Sequence, residues 1–222
     1  MNAKFHADLS MRRWKLKDSQ DFDFLYKLHD FIDCSKEVES SGCHRLLTHH
    51  LWFVKRVVIP IFGHTYISTC GKCINIKDLL ESDHIMADFA GKYLPTLEDY
   101  FSLLPNNVED KENIISFRKK YHMGRIDFPE GFFELVDSPW HQTGMIKSLY
   151  LTHNTWFLKE IMPKIFPSFP DIPLEDNEEL NPSFFLNRMV YDNWLNNGRA
   201  GHPPSYSKIL EHKNKEKIKN TR

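Results

Sequence analysis

The sequence predicts a mainly α-helical protein made of two related halves, with one small β-hairpin in the first. Three observations carry that prediction. Apolar residues recur at helical spacing through most of the chain. Strand-like residues gather only around Cys70-Gly71-Lys72-Cys73. The octet Thr48-His49-His50-Leu51-Trp52-Phe53-Val54-Lys55 is echoed by Thr152-His153-Asn154-Thr155-Trp156-Phe157-Leu158-Lys159, a constant shift (153 − 49 = 104) that also aligns Phe24 with Phe128 and Asp33 with Asp137. Such a repeat implies internal duplication of a unit of ordinary domain size. The expected organisation is a basic N-terminal extension (1–20), a first helical repeat (21–104), a linker helix (105–122), a second, degenerate repeat (123–210) and a basic tail (211–222).

Taken in order, Asp21 to Asp33 places Phe22, Leu25, Leu28 and Ile32 on one helical face. Ser41 offers a cap for a long helix over 43–62, with Gly63 as its stop and Pro60 fraying its last turn. That helix has a core stripe of Leu46, His50, Phe53, Val54, Val57 and Ile61, and a second stripe of Arg45, His49, Trp52 and Arg56. The His-Trp pairing of the second stripe, repeated as His153 and Trp156, reads as a packing device. His50 sits among apolar neighbours, and its counterpart is Asn154. It is either a satisfied core histidine or a functional one.

Residues 64–76 read as a hairpin turning at Gly71, and 76–93 as a further helix. Thr96 caps another, and 112–121 forms the linker helix. The second half repeats the plan with 132–137, a long helix to Phe166, a proline-rich segment (167–173), a helix over 182–197 stopped by Gly198, and a last one from Pro204-Ser205.

Lys+Arg 29 against Asp+Glu 30 leaves the chain near neutral, so bulk phosphate-backbone binding is disfavoured as a primary role. The basic tail reads as a solvated end. No stretch is apolar enough to span a membrane, and the four cysteines (Cys34, Cys43, Cys70, Cys73) form no disulfide framework. A reducing cytoplasm is the expected compartment. Those cysteines could complete a zinc site, although a β-turn with incidental thiols is the simpler account.

His44-Arg45-x-x-x-His49-His50, Phe62-Gly63, Asp83-His84-x-x-x-Asp88 and Leu94-Pro95-Thr96-x-x-Asp99-Tyr100, with His29-Asp30-x-x-Asp33-x-Ser35-Lys36 upstream, resemble a small uncharacterised family of bacterial and phage proteins. The resemblance covers 26–104 and departs from the family at Thr69-Cys70 and Ser82-Asp83. It implies no activity.

The residues themselves suggest one chemistry. His84 and Asp88, four apart, share a helix face. With His44 and His50 they supply imidazoles suited to zinc, manganese or iron, while Asp33 and Asp88 offer carboxylates and Arg45 a phosphoryl-binding guanidinium. The expectation is a divalent-metal-dependent hydrolase of a phosphorylated small molecule or nucleic acid, with metal ligands His44, His50 and His84 and catalytic Arg45, Asp33 and Asp88. The alternative is a bacterial or phage interaction protein that engages a host component, its His/Arg/Asp set a buried polar packing network. RNA binding through the basic ends is a weaker third reading.

Overall fold

The computed structural model describes residues 2–38, 44–89, 91, 94–102, 104, 108–122, 126–175 and 180–186. The expected helix beyond 186, the last helix and the basic tail lie outside the described residues, as do Ser41 and Cys43. The described chain is mainly helical, with a single two-stranded antiparallel hairpin among the described residues. It divides into two compact units, Met1–Ser40 with His44–Thr96, and a second that takes in Leu97–Arg222.

The first unit opens with α1 (Ala3–Trp14), capped by Asn2, whose side chain accepts the Phe5 amide, and closed by Lys15 in the left-handed region. The basic extension is therefore a structural helix. Its buried face carries His6 among the small residues Ala3, Ala7 and Ser10, which let α1 lie close against α2 (Ser19–Ile32). Asp18 caps α2, and its buried face carries Leu25, Leu28 and His29. A 3-10 turn, Cys34–Glu37, follows Asp33.

The long helix expected over 43–62 is interrupted. α3 (Arg45–Thr48) stops at a bend, and α4 (Leu51–Phe53) starts afresh, running through a π-helical turn, Val54–Val58, into α5 (Ile59–Phe62). The cause is His50, whose extended backbone (φ −154, ψ 161) cannot continue a helix and whose ring nitrogen accepts the Phe53 amide as a cap. Pro60 directly follows the π-helical turn, and its missing N–H falls where the ladder changes from π to α hydrogen bonding.

The hairpin pairs β1 (Thr65–Ile67) with β2 (Cys73–Asn75), Tyr66 opposite Ile74, and turns through Gly71 at φ 80. Buried Asp21 anchors it, accepting from the Tyr66 hydroxyl (2.6 Å) and from the Thr69 amide and hydroxyl (2.9 and 2.8 Å). Asn75 then caps α6 (Ile76–Leu80), which continues through a second π-helical turn, Glu81–Ile85, into α7 (Met86–Asp88).

In the second unit, α8 (Leu97–Phe101), α9 (Val108–His122) and α10 (Phe132–Thr143) are followed by a 3-10 segment, Ile146–Leu151, a π-helical turn, Phe157–Ile161, and α11 (Met162–Ile165). The long helix expected to end at Phe166 is thus also broken, at His153-Asn154.

The two breaks share their local chemistry. His49 Nδ1 meets the Thr48 hydroxyl at 3.0 Å, and His153 Nδ1 meets the Thr152 hydroxyl at 3.1 Å. His50 bridges the Leu46 carbonyl (3.1 Å) and the Phe53 amide (3.2 Å), while Asn154 bridges the Tyr150 carbonyl (2.6 Å) and the Phe157 amide (2.8 Å).

Candidate metal centre

Helix α1, the C-terminal end of α2, the α3 bend and the α6–α7 segment bring six ionisable side chains together inside the first unit: His6, Asp33, His44, His49, His84 and Asp88. All are buried except Asp88, whose side chain is itself only 2% exposed. The π-helical turn before α7 lies at the cluster, a common location for such bulges.

Asp33 Oδ1 is the focal atom. His49 Nε2 lies 3.4 Å from it, His84 Nε2 3.7 Å and His44 Nε2 3.9 Å. His49 Nε2 is also 3.2 Å from His84 Nε2 and 3.4 Å from Asp88 Oδ2. Donor atoms on one tetrahedral ion at about 2.0–2.1 Å stand about 3.3–3.4 Å apart, and the spacings around His49 Nε2, 3.2–3.4 Å, are close to that edge. Asp33 Oδ1 is buried yet accepts no hydrogen bond.

The supporting hydrogen bonds set the tautomers. The Asp83 carboxylate can only accept, so the Ser10 hydroxyl donates to it (2.9 Å). Ser10 Oγ then accepts from His29 Nε2–H (3.0 Å), and His29 Nδ1 accepts from His84 Nδ1–H (3.0 Å). His84 Nε2 is left as a bare lone pair aimed at the cluster. A second chain does the same for His49. Ser35 donates to the His44 carbonyl (3.1 Å), Thr48 donates to Ser35 (2.9 Å), and Thr48 accepts His49 Nδ1–H. Lone pairs converging on a carboxylate repel one another unless a cation lies between them.

Protonation offers little relief. Burial, reinforced by the His49 and His6 rings and opposed by Asp33, pushes His84 down to about 3. Burial and the neighbouring His84 and His6 rings push His29 well below its ordinary value. Burial alone would raise Asp33, but a proton shared from His49 or His84 Nε2, when either carries one, and the Lys36 ammonium hold it below the usual carboxylate range. Asp88 is held low in the same way by His49, His6 and Arg45, against burial. Neutral imidazoles and ionised carboxylates are the states that bind metal.

These shifts set an acid limit for the metal-free chain. His84 and His50, both pushed to about 3 with burial as the main cause, refuse protons that the unfolded chain accepts below about 6.5. Stability therefore falls as pH drops below that value, by up to about 1.4 kcal/mol per pH unit for each such group. Asp33 and Asp88 add stability above the ordinary carboxylate value, which is lost as pH falls through it. Urea midpoints measured in chelator should decline from near pH 6.5 downward; a flat profile to pH 4.5 would contradict this.

Each expected site residue has a definite place. Asp33, His44, His84 and Asp88 lie in the cluster, and Arg45 borders it, its guanidinium 3.2 Å from Asp88 Oδ2 and 5.8 Å above the Phe89 ring. His50 does not join them, because backbone groups occupy both its ring nitrogens. His49, expected to pack with Trp52, takes its place between the two carboxylates. Since Asn154 makes the same two backbone bonds, His50→Asn should keep the fold and the metal content, while His50→Ala should cost about 1–3 kcal/mol in a denaturant titration.

His6 and His29 were absent from the expected set. For His6 the local signal was its company of small residues, Ala3, Ala7 and Ser10, on one face of α1, whereas His29 shares the buried face of α2 with Leu25, Leu28 and Ile32. Among the described residues, no metal-competent group includes a cysteine, and Cys70 and Cys73 are exposed on the hairpin.

Residues 1–108 match the family model described as Domain of unknown function (DUF6915). The match to an uncharacterised family thus begins well before residue 26, and takes in α1 with His6 and Ser10. The DUF6915 segment contains every residue of the cluster. No curated protein and no solved structure matches the chain.

Proposed function

We propose that the DUF6915 segment binds a divalent transition metal and hydrolyses a phosphoester. The observation that carries this reading is the buried Asp33 Oδ1, without a hydrogen bond and faced by three imidazole nitrogens at 3.4–3.9 Å. Mixed imidazole and carboxylate donors suit zinc, manganese or iron. Such an ion would supply Lewis acidity toward a phosphoryl oxygen and an acidified water. Arg45 and Lys36 support the phosphoester reading. Lys36 pairs with Asp33 Oδ2 and Arg45 with Asp88 Oδ2, and the Arg45 and Lys36 side chains are 29% and 36% exposed, a cationic rim for an anionic substrate. Asp33 and Asp88, ionised members of the donor set itself, would help to orient the attacking water, and either could accept its proton.

The test is turnover of bis(p-nitrophenyl) phosphate after loading with manganese or zinc. Hydrolysis that chelator abolishes and Arg45→Ala weakens mainly through KM supports the proposal. Metal-loaded protein without turnover removes the hydrolase reading. Fully folded protein that binds no metal favours the alternative, an interaction protein whose cluster serves only packing.

We also infer that the two halves arose by duplication, with the second a degenerate copy. The support is the shared Thr-His and His/Asn bonding at the two helix breaks, together with the constant sequence offset. In the second half Arg118 pairs with Asp137 at 2.8 Å and no histidine cluster accompanies them among the described residues. Free, exposed Cys70 and Cys73 fit a reducing cytoplasm. Among the described residues no helix is long and apolar enough to cross a membrane.

A further inference from the structure

We infer that the centre takes two divalent ions rather than one, with the Asp88 carboxylate bridging them; this rests on the metal-binding part of the proposed function. The donors sort into two adjoining triads of identical composition. One is Asp33, His44 and His49; the other is His6, His84 and Asp88. In each, the three ligand atoms lie within 4.8 Å of one another. Each triad is a two-histidine, one-carboxylate set, which holds a divalent ion on one face and leaves the other open.

The second triad has its own signature. His6 Nδ1 donates to the Asp83 carbonyl at 2.7 Å, so in the neutral ring Nε2 carries a lone pair. That atom is fully buried, has no hydrogen-bond partner, and faces Asp88 Oδ1 at 3.2 Å. The His6 and His84 rings stack at 4.0 Å and 15°, so both edges meet the same space. An unprotonated nitrogen directed at a carboxylate is repulsive with nothing between them and favourable with a cation there. Asp33 Oδ1 and His6 Nε2 are thus two buried atoms without hydrogen bonds, one in each triad.

Asp88 joins the triads. Its Oδ1 faces His6, and its Oδ2 lies 3.4 Å from His49 Nε2. A carboxylate presenting one oxygen to each of two ions holds them about 3.5–4 Å apart, the spacing of two-metal phosphoester centres. His84 Nε2, 3.2 Å from His49 Nε2, lines the boundary. The substrate class that follows is a phosphate mono- or diester whose non-bridging oxygens span both ions.

The test is titration of the purified chain with manganese, read by elemental analysis after gel filtration and by electron paramagnetic resonance. Two ions per chain and a spin-coupled signal at saturation are expected. His6→Asn, whose amide can still donate to the Asp83 carbonyl, should reduce the count to one and leave an uncoupled six-line spectrum, with melting temperature and circular dichroism verifying the fold. One ion per wild-type chain, or an unchanged count in folded His6→Asn, overturns the second position and leaves the proposed function standing. No bound ion overturns both.

Discussion

Asp83→Ala is expected to destabilise the first unit by about 2–4 kcal/mol, among the largest single effects in the chain, through the buried donors it leaves unsatisfied. Asp83 is fully buried and ionically paired with Arg13, and it accepts from Ser10 (2.9 Å), Trp14 Nε1 (3.1 Å) and Ser82 (2.8 Å). Three of those four donors come from α1, so the residue ties that helix to the segment bearing His84 and Asp88. Removing the carboxylate leaves the Ser10, Trp14 and Ser82 donors without their acceptor, whereas Arg13, half exposed, can turn to water. Asp83→Asn separates two roles. Its amide can donate to Ser10 Oγ, which releases the proton order that runs through His29 to His84 Nδ1. Metal affinity should then fall about 10–100-fold, while stability falls less than in the alanine variant. Denaturant midpoints in chelator and metal titrations measure the two separately, and equal affinity in Asp83→Asn and wild type would refute the relay.

His49→Asn should reduce metal affinity by at least about 100-fold, the second large effect. His49 Nε2 is the donor that lies 3.4 Å from both carboxylates and 3.2 Å from His84, and an amide cannot replace an imidazole there. The neighbouring His50→Asn should leave affinity unchanged. Adjacent histidines with opposite outcomes would be hard to obtain from a nonspecific packing defect. Isothermal titration with zinc of the two variants decides the matter, and comparable losses in both would count against the assignment.

Much of the helical frame was legible because it follows from apolar periodicity and capping. α2 matched its predicted face through Leu25, Leu28 and Ile32, and the hairpin turned at Gly71 as its residues required. The break at residues 49–50 was not legible. No glycine or proline marks it, and the cap is an imidazole acting as an acceptor, a role that a composition rule assigns to serine or aspartate. That missed break rotated the histidine assignment by one residue. A straight helix puts His50 on the core stripe and His49 beside Trp52, whereas the bend turns His49 into the cluster. The spacing of His84 and Asp88 survived a π-helical turn because both remain on the side facing α1 and α3. His6 escaped notice because the charges of residues 1–20 outweighed the small-residue face beside it.

The most direct test of the central claim is the metal content of the purified chain after loading with zinc and exhaustive dialysis, alongside Asp33→Asn. Stoichiometric metal in the wild type, lost in the folded variant, is the predicted result. A folded wild type that retains no metal, or an Asp33→Asn chain that keeps its full complement, would contradict it.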